Sequence, residues 1–174
     1  MNEELIIEKT IEFVKKSFLD AKPSHDFFHV ERVYNMAIYI WEKEDANLLI
    51  VKLWALLHDI ADYKYHDWDE EVWPEIAWKF LTDLWVDNYV IEEVKNIIKY
   101  ISFSTNLSTD IVYKSKELDV VKDADKLDAI WAIWVARCMC FSWEKDRELY
   151  NPSIEPKLNM TKEEYKKNKS TAIN

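Results

Sequence analysis

The stretch that decides the fold is LWALLHD at residues 53–59, in which five apolar residues end in a histidine and an aspartate. Apolar residues continue upstream to residue 48, and their spacing predicts a helix. A charged pair beside so apolar a run is costly unless another group compensates it. The doublet His58-Asp59 is therefore the first indication of a cation site.

Two further stretches carry the same residue types. HDFFHVERV at residues 25–33 contains His29, and DADKLD at residues 123–128 contains Asp125. Two imidazoles and two carboxylates can jointly hold a divalent cation, which lowers the pKa of a bound water. A single histidine on an apolar helix is more often a core residue, and an acidic cluster is more often a solvated face. The three stretches together favour a metal site.

Composition limits the classes of partner. The net charge of −10 argues against a broad basic surface for nucleic acid or for an anionic membrane, so an anionic substrate needs a local positive site. The chain has no uncharged apolar run of about 18 residues and no basic segment leading into an apolar one at its start. Cys138 and Cys140 are two residues apart on a predicted helix and point to different faces. We therefore expect a cytoplasmic monomer or homodimer with reduced thiols.

The hydrophobic period is close to 3.6 residues in nearly every segment, which predicts an all-α fold. Ser24 is the expected cap of the second helix, and Asp45 or Asn47 that of the third. A polar loop is expected from about residue 102 to 115, followed by one long sixth helix. The predicted helices are residues 5–18, 25–40, 47–59, 70–84, 88–101 and 116–141.

The order His … His-Asp … Asp in the three stretches resembles the HD superfamily of metal-dependent phosphohydrolases, in particular its small stand-alone bacterial and archaeal members. The resemblance implies a bundle of about six or seven helices and a divalent cation (Mn, Mg, Co, Ni or Fe) bound by His29, His58, Asp59 and Asp125. It places Asp62 where related enzymes orient or deprotonate the attacking water. Some members hydrolyse nucleoside triphosphates to monophosphate and pyrophosphate, so a small phosphate ester is the expected substrate.

Further residues are candidates for contact with that substrate. Lys64 joins the catalytic group, and Arg32 and Lys126 are expected to hold phosphate oxygens. His25 is expected to line the substrate pocket, and Asp128 either to support a metal ligand from behind or to form part of the pocket wall. For each basic residue, an ordinary surface charge is an equal alternative. Two other functions stay open: a non-catalytic module that binds a nucleotide as a sensor, and a structural bundle without metal.

The chain has nine tryptophans and no glycine. Trp41 and Trp85 follow predicted helices, and Trp143 lies in a predicted turn, where glycine is common. Trp131 and Trp134 occupy positions at which members of the resembled family have small residues, so we expect them to overpack the sixth helix. Our hypothesis is that UGA codons, which mean glycine in the native host, have been translated as tryptophan.

Two regions are expected along the chain. Residues 1–150 form the HD domain with the metal site, and residues 151–174 begin a C-terminal helical extension. Members of the resembled family continue beyond the point that corresponds to residues 170–174. The chain is therefore expected to be truncated there.

Overall fold

The computed structural model describes residues 2–19, 26–60, 72–101 and 113–156, together with residues 161, 164 and 171–173. Within these ranges the chain is all-α, as its periodicity predicts. The seven helices are α1 (Glu3–Ser17), α2 (Phe27–Trp41), α3 (Leu48–Leu57), α4 (Val72–Asp83), α5 (Asn88–Ile101), α6 (Lys116–Asp128) and α7 (Ala132–Glu144).

Helix α3 is the centre of the bundle. It packs against α1, α2, α5 and α6, while α2 also packs against α6, and α4 against α5. Seven of its ten residues are buried, which explains why all of its residues except Lys52 are apolar. The core of the bundle thus surrounds the segment that ends in His58.

Polar caps set where the helices begin. Asn47 caps α3 by accepting hydrogen bonds from the backbone N–H groups of Leu49 and Ile50. Asp26 caps α2 by accepting one from the N–H of His29 at 3.1 Å. The expected cap of this helix, Ser24, lies outside the described residues, and the cap observed is two residues later. A cap at Asp26 places His29 in the first turn of α2.

The prediction of one long sixth helix was wrong. Helix α6 ends at Asp128, Trp131 has an extended backbone with φ −94° and ψ 167°, and α7 begins at Ala132. Periodicity did not reveal this interruption because apolar residues continue on both sides of it. Trp131 and Trp134 are 60% and 41% exposed, so the expected overpacking was also wrong.

The tryptophans at helix ends differ from one another. Trp85 has a positive φ of 56°. Its N–H donates to Thr82 O at 2.9 Å, and the N–H of Val86 donates to Leu81 O at 3.1 Å. These two bonds form a Schellman motif, whose left-handed position favours glycine. Trp41, in contrast, is the last residue of α2, and Trp143 lies inside α7, so the turn predicted at Trp143 was wrong.

The C-terminal region is described only in part. The backbone N–H of Thr161 donates to Oε2 of Glu164, and the backbone N–H of Glu164 donates to Oγ1 of Thr161. This reciprocal pair is the capping box found where helices begin. The N–H of Ala172 donates to Glu148 O at 2.9 Å. The division into residues 1–150 and 151–174 stays a prediction. Among the described residues, no helix is long and apolar enough to cross a membrane.

Candidate metal centre

Three helices bring together the four residues expected to bind metal. His29 lies in the first turn of α2, His58 is the C-cap of α3 and is followed by Asp59, and Asp125 lies in α6. Both histidines are buried, with 5% and 4% exposure. Because α2 packs against both α3 and α6, residues that are far apart in sequence meet in one place.

The donor atoms lie close together, and those of His29, His58 and Asp125 are all within 4.8 Å of one another. The two Nε2 atoms of His29 and His58 lie 3.1 Å apart. From the Nε2 of His29, Asp59 Oδ2 and Asp125 Oδ1 each lie 3.4 Å away. From the Nε2 of His58, the same two oxygens lie 3.8 and 3.9 Å away. Donors bound at about 2.1 Å to one ion stand roughly 3 to 4 Å from one another, so these separations fit a shared cation.

Both imidazoles are oriented for metal binding. His58 Nδ1 lies 2.8 Å from Ala55 O, which accepts its proton and leaves Nε2 as a donor of electrons. His29 Nδ1 lies 2.7 Å from Asp128 Oδ2, which accepts its proton and leaves the His29 Nε2 lone pair toward the other donors. Burial lowers the pKa of His58 below its usual value. Burial also lowers the pKa of His29, but hydrogen bonds with Asp125 and Asp128 outweigh it and raise this pKa to about 9.

Asp128 is a buried carboxylate held between one histidine and two arginines. Arg32 donates from Nε to Oδ1 at 2.6 Å and from Nη2 to Oδ2 at 3.0 Å. Arg137 Nη1 lies 3.4 Å from Oδ2. Burial alone raises the pKa of Asp128, but the hydrogen bonds from His29 and Arg32 outweigh it and lower the pKa. The carboxylate is thus held ionised behind His29, on the side away from the converging donors.

Sequence reasoning did not single out Arg137. Nine residues separate it from Asp128, and no helical spacing relates the two side chains. Only the break between α6 and α7 brings them together. No signal in the sequence could have identified this contact.

A cavity of about 320 Å³ borders Asp128 and Arg32. Side chains from α2 and α6 line it together with Trp131, which adds a partly exposed aromatic wall. Lys126 is exposed on α6, one residue from Asp125. The lining consists of Arg32, Asn35, Met36, Tyr39, Ala124, Asp128 and Trp131.

Three of the expected site residues, His25, Asp62 and Lys64, lie outside the described residues. Trp54, four residues before His58, is fully buried and stacks on the His58 ring with a centroid distance of 5.1 Å. Its Nε1 has no hydrogen-bond partner among the described residues. The indole therefore acts as an apolar wall beside the His58 imidazole.

The HD domain family matches residues 26–130, which include all four converging residues. This chain belongs to that family. The match covers more than half of the sequence and begins at the cap of α2. The matched residues include α2 to α6 and the connections between them.

Relatives of this HD domain have been solved. A protein from Lactobacillus plantarum is 29% identical, with 99% of this chain and 79% of that one aligned at a TM-score of 0.84. An HD-superfamily hydrolase from Bacillus thuringiensis is 34% identical over 95% of this chain and 80% of its own, at a TM-score of 0.66.

YpgQ from Bacillus subtilis, an uncharacterized protein, is 36% identical over 138 residues, which is 79% of this chain and 67% of YpgQ. The structure of YpgQ in complex with ADP aligns at a TM-score of 0.63 with 30% identity, over 83% of this chain and 72% of that one. The family thus includes both a hydrolase and a protein solved with a bound nucleotide.

Proposed function

We propose that this HD domain is a metal-dependent phosphohydrolase that acts on a nucleotide or a similar small phosphate ester. The observation that carries the proposal is the convergence of His29, His58, Asp59 and Asp125 on one point. Two Nε2 atoms lie 3.1 Å apart, each with its Nδ1 bonded elsewhere, and face two carboxylates, an arrangement that a cation between them would satisfy. The hydrolase among the relatives supports the reaction class.

The mixed donor set suits Mn, Fe, Co, Ni or Mg and does not select among them. Such an ion, when bound, acidifies a water and neutralises charge on a phosphoryl oxygen. The protein residues supply the rest. His29 and His58 provide neutral nitrogen donors, and Asp59 and Asp125 balance the charge of the ion.

Asp62 is the proposed general base, three residues after Asp59. Lys64 and Lys126 are the proposed contacts of the phosphate oxygens. Neither Asp62 nor Lys64 lies in the described part of the chain, so the sequence position alone supports their roles.

Arg32 and Asp128 are proposed to contact the substrate from the cavity that they line, with His25 nearby on the chain. Two of the guanidinium nitrogens of Arg32 already bond to Asp128. The two residues therefore form one unit, which is held rigidly at the side of the cavity nearest His29. The cavity volume is at the lower end of the range for small-ligand sites.

The ADP complex of YpgQ supports a nucleotide as the ligand, and it equally favours a second candidate function, a nucleotide sensor without turnover. A panel of nucleoside mono- and triphosphates with Mn²⁺, Co²⁺ and Mg²⁺ separates the two. The phosphohydrolase predicts release of phosphate or pyrophosphate that a chelator abolishes. Tight nucleotide binding without product indicates the sensor, and protein that takes up neither metal nor nucleotide rejects both.

A further inference from the structure

We infer that Arg137 is a positioning residue for the metal centre, which it reaches through Asp128 and His29. This inference rests on the proposed metal site and concerns how that site is held together. The chain of contacts runs from Arg137 Nη1 to Asp128 Oδ2 at 3.4 Å, and from the same oxygen to His29 Nδ1 at 2.7 Å. His29 Nε2 then faces the converging donors.

Asp128 needs more than one cation to stay in place. Its side chain is only 6% exposed, and an ionised carboxylate that is buried to this degree is costly unless it is paired. Arg32 binds both oxygens, but its own side chain is 33% exposed to water. Arg137 is 17% exposed and approaches the oxygen that accepts the His29 proton. The second arginine therefore acts on the oxygen that orients the metal-binding imidazole.

The break after α6 makes this contact. In an uninterrupted helix, nine residues rise about 13 Å and complete two and a half turns, which would put Arg137 on the opposite face from Asp128. The chain instead leaves the helix between Ala129 and Trp131 and starts again as α7. Among the described residues, α7 is not one of the helices that pack extensively against another helix. The ion pair between Arg137 and Asp128 is therefore a notable link between α7 and the metal centre.

The chemical consequence concerns one proton. An ionised Asp128 keeps the His29 proton on Nδ1, so that the Nε2 lone pair stays directed toward the ion. Two arginines on the carboxylate fix the position of the oxygen that accepts this proton. With Arg137 removed, Asp128 keeps only its contacts with Arg32 and His29, and His29 loses part of its fixed orientation.

The test compares Arg137→Met, Arg137→Lys and the control Arg147→Met. Arg147 follows α7, and its guanidinium lies over the Phe141 ring at 5.4 Å. Titration calorimetry with Mn²⁺ alone measures the affinity of each variant. Arg137→Met should bind Mn²⁺ about 10-fold more weakly, which is the lower end of the effect expected for a residue that orients a metal ligand. Arg137→Lys should largely restore the affinity. Arg147→Met should match the wild type.

Two further measurements separate positioning from simple support of the fold. In Zn²⁺-loaded protein, the downfield proton resonance of His29 Nδ1 should broaden in Arg137→Met and stay sharp in Arg147→Met. If Arg137 acts through Asp128, the double variant Arg137→Met/Asp128→Asn should bind Mn²⁺ no more weakly than Asp128→Asn alone.

Wild-type Mn²⁺ affinity and a sharp His29 resonance in Arg137→Met would overturn the inference, even if the variant is less stable, and would leave the proposed function intact. Fully additive losses in the double variant would overturn it as well. If Arg137→Met does not fold, Arg137→Gln decides, since it also removes the charge: affinity lowered by about 10-fold supports the inference, and wild-type affinity rejects it. Wild-type protein that binds no Mn²⁺ contradicts the proposed function itself.

Discussion

The Nδ1 atom of His29 lies 2.7 Å from Oδ2 of Asp128, although 99 residues separate the two along the chain. This buried contact joins the first turn of α2 to the last residue of α6. It sets which nitrogen of His29 carries the proton and therefore which one faces the other donors. The proposed metal centre thus depends on a carboxylate that is not among its proposed ligands.

Replacing Asp128 should weaken the metal centre. Asp128→Asn keeps the size of the side chain but removes the charge that binds His29 and the arginines. We expect Mn²⁺ affinity to fall by about 10- to 100-fold, as for other groups that orient metal-binding histidines. Titration calorimetry measures it. Asp123→Asn, an exposed aspartate on the same helix, is the matched control and should leave affinity unchanged. Equal affinities in the two variants would contradict the role of Asp128.

Bound metal should stabilise the folded state. A ligand that binds only the folded protein at 100 times its Kd adds about 2.7 kcal/mol to the free energy of unfolding. For a domain of this size, that corresponds to a rise in Tm of roughly 5 to 10 °C. Thermal unfolding with Mn²⁺ and with chelator measures the difference. Asp125→Asn should abolish the rise, and Asp123→Asn should retain it; a rise that persists in Asp125→Asn places the ion elsewhere.

Asp62 should affect turnover but not metal affinity. If it is the general base, Asp62→Asn should lower kcat by about 100- to 10,000-fold while Mn²⁺ still binds. Initial rates on the best substrate of the nucleotide panel measure kcat, and calorimetry on the same preparation measures the affinity for Mn²⁺. Loss of metal binding in Asp62→Asn would show that Asp62 belongs to the ligand set. An unchanged kcat would exclude it from the reaction.

Glycine should suit position 85 better than tryptophan. Trp85 has a φ of 56° and is 86% exposed, so it is in a strained conformation and has little packing to lose. Trp85→Gly should raise the free energy of unfolding by about 1 kcal/mol, the cost of the left-handed conformation for a residue with a Cβ. Trp143→Gly is the control: position 143 is 85% exposed but helical, so glycine there should lower stability by about 0.5 kcal/mol. Urea unfolding of the wild type and the two variants measures these changes in the free energy of unfolding.

The absence of glycine has its own test. If UGA means glycine in the native host, amino-acid analysis and intact mass of the protein from that host should show glycine at the nine tryptophan positions. The left-handed backbone at Trp85 agrees with this hypothesis, whereas Trp41 and Trp143 are helical and do not require glycine. Protein from the host with nine tryptophans would reject the hypothesis.

Local signals predicted much of the fold. The polar residue before the apolar run of α3 is its cap, Asn47, and the run itself is the central helix. A cap and a hydrophobic period depend on neighbours within one or two turns, so they can be recognised without the rest of the molecule. The break at residues 129–131 could not be recognised from the sequence, because apolar residues on both sides continue the helical pattern across it.

The sequence by itself determined the residue types: two histidines and two aspartates in an order that resembles a family of metal-dependent hydrolases. The tertiary structure alone decided the distances among these donors and the group behind them. Asp128 meets His29 because α2 packs against α6, and Arg137 meets Asp128 because the chain breaks between α6 and α7. Such contacts join residues that have no fixed spacing, and only the packing of whole helices sets where their side chains meet.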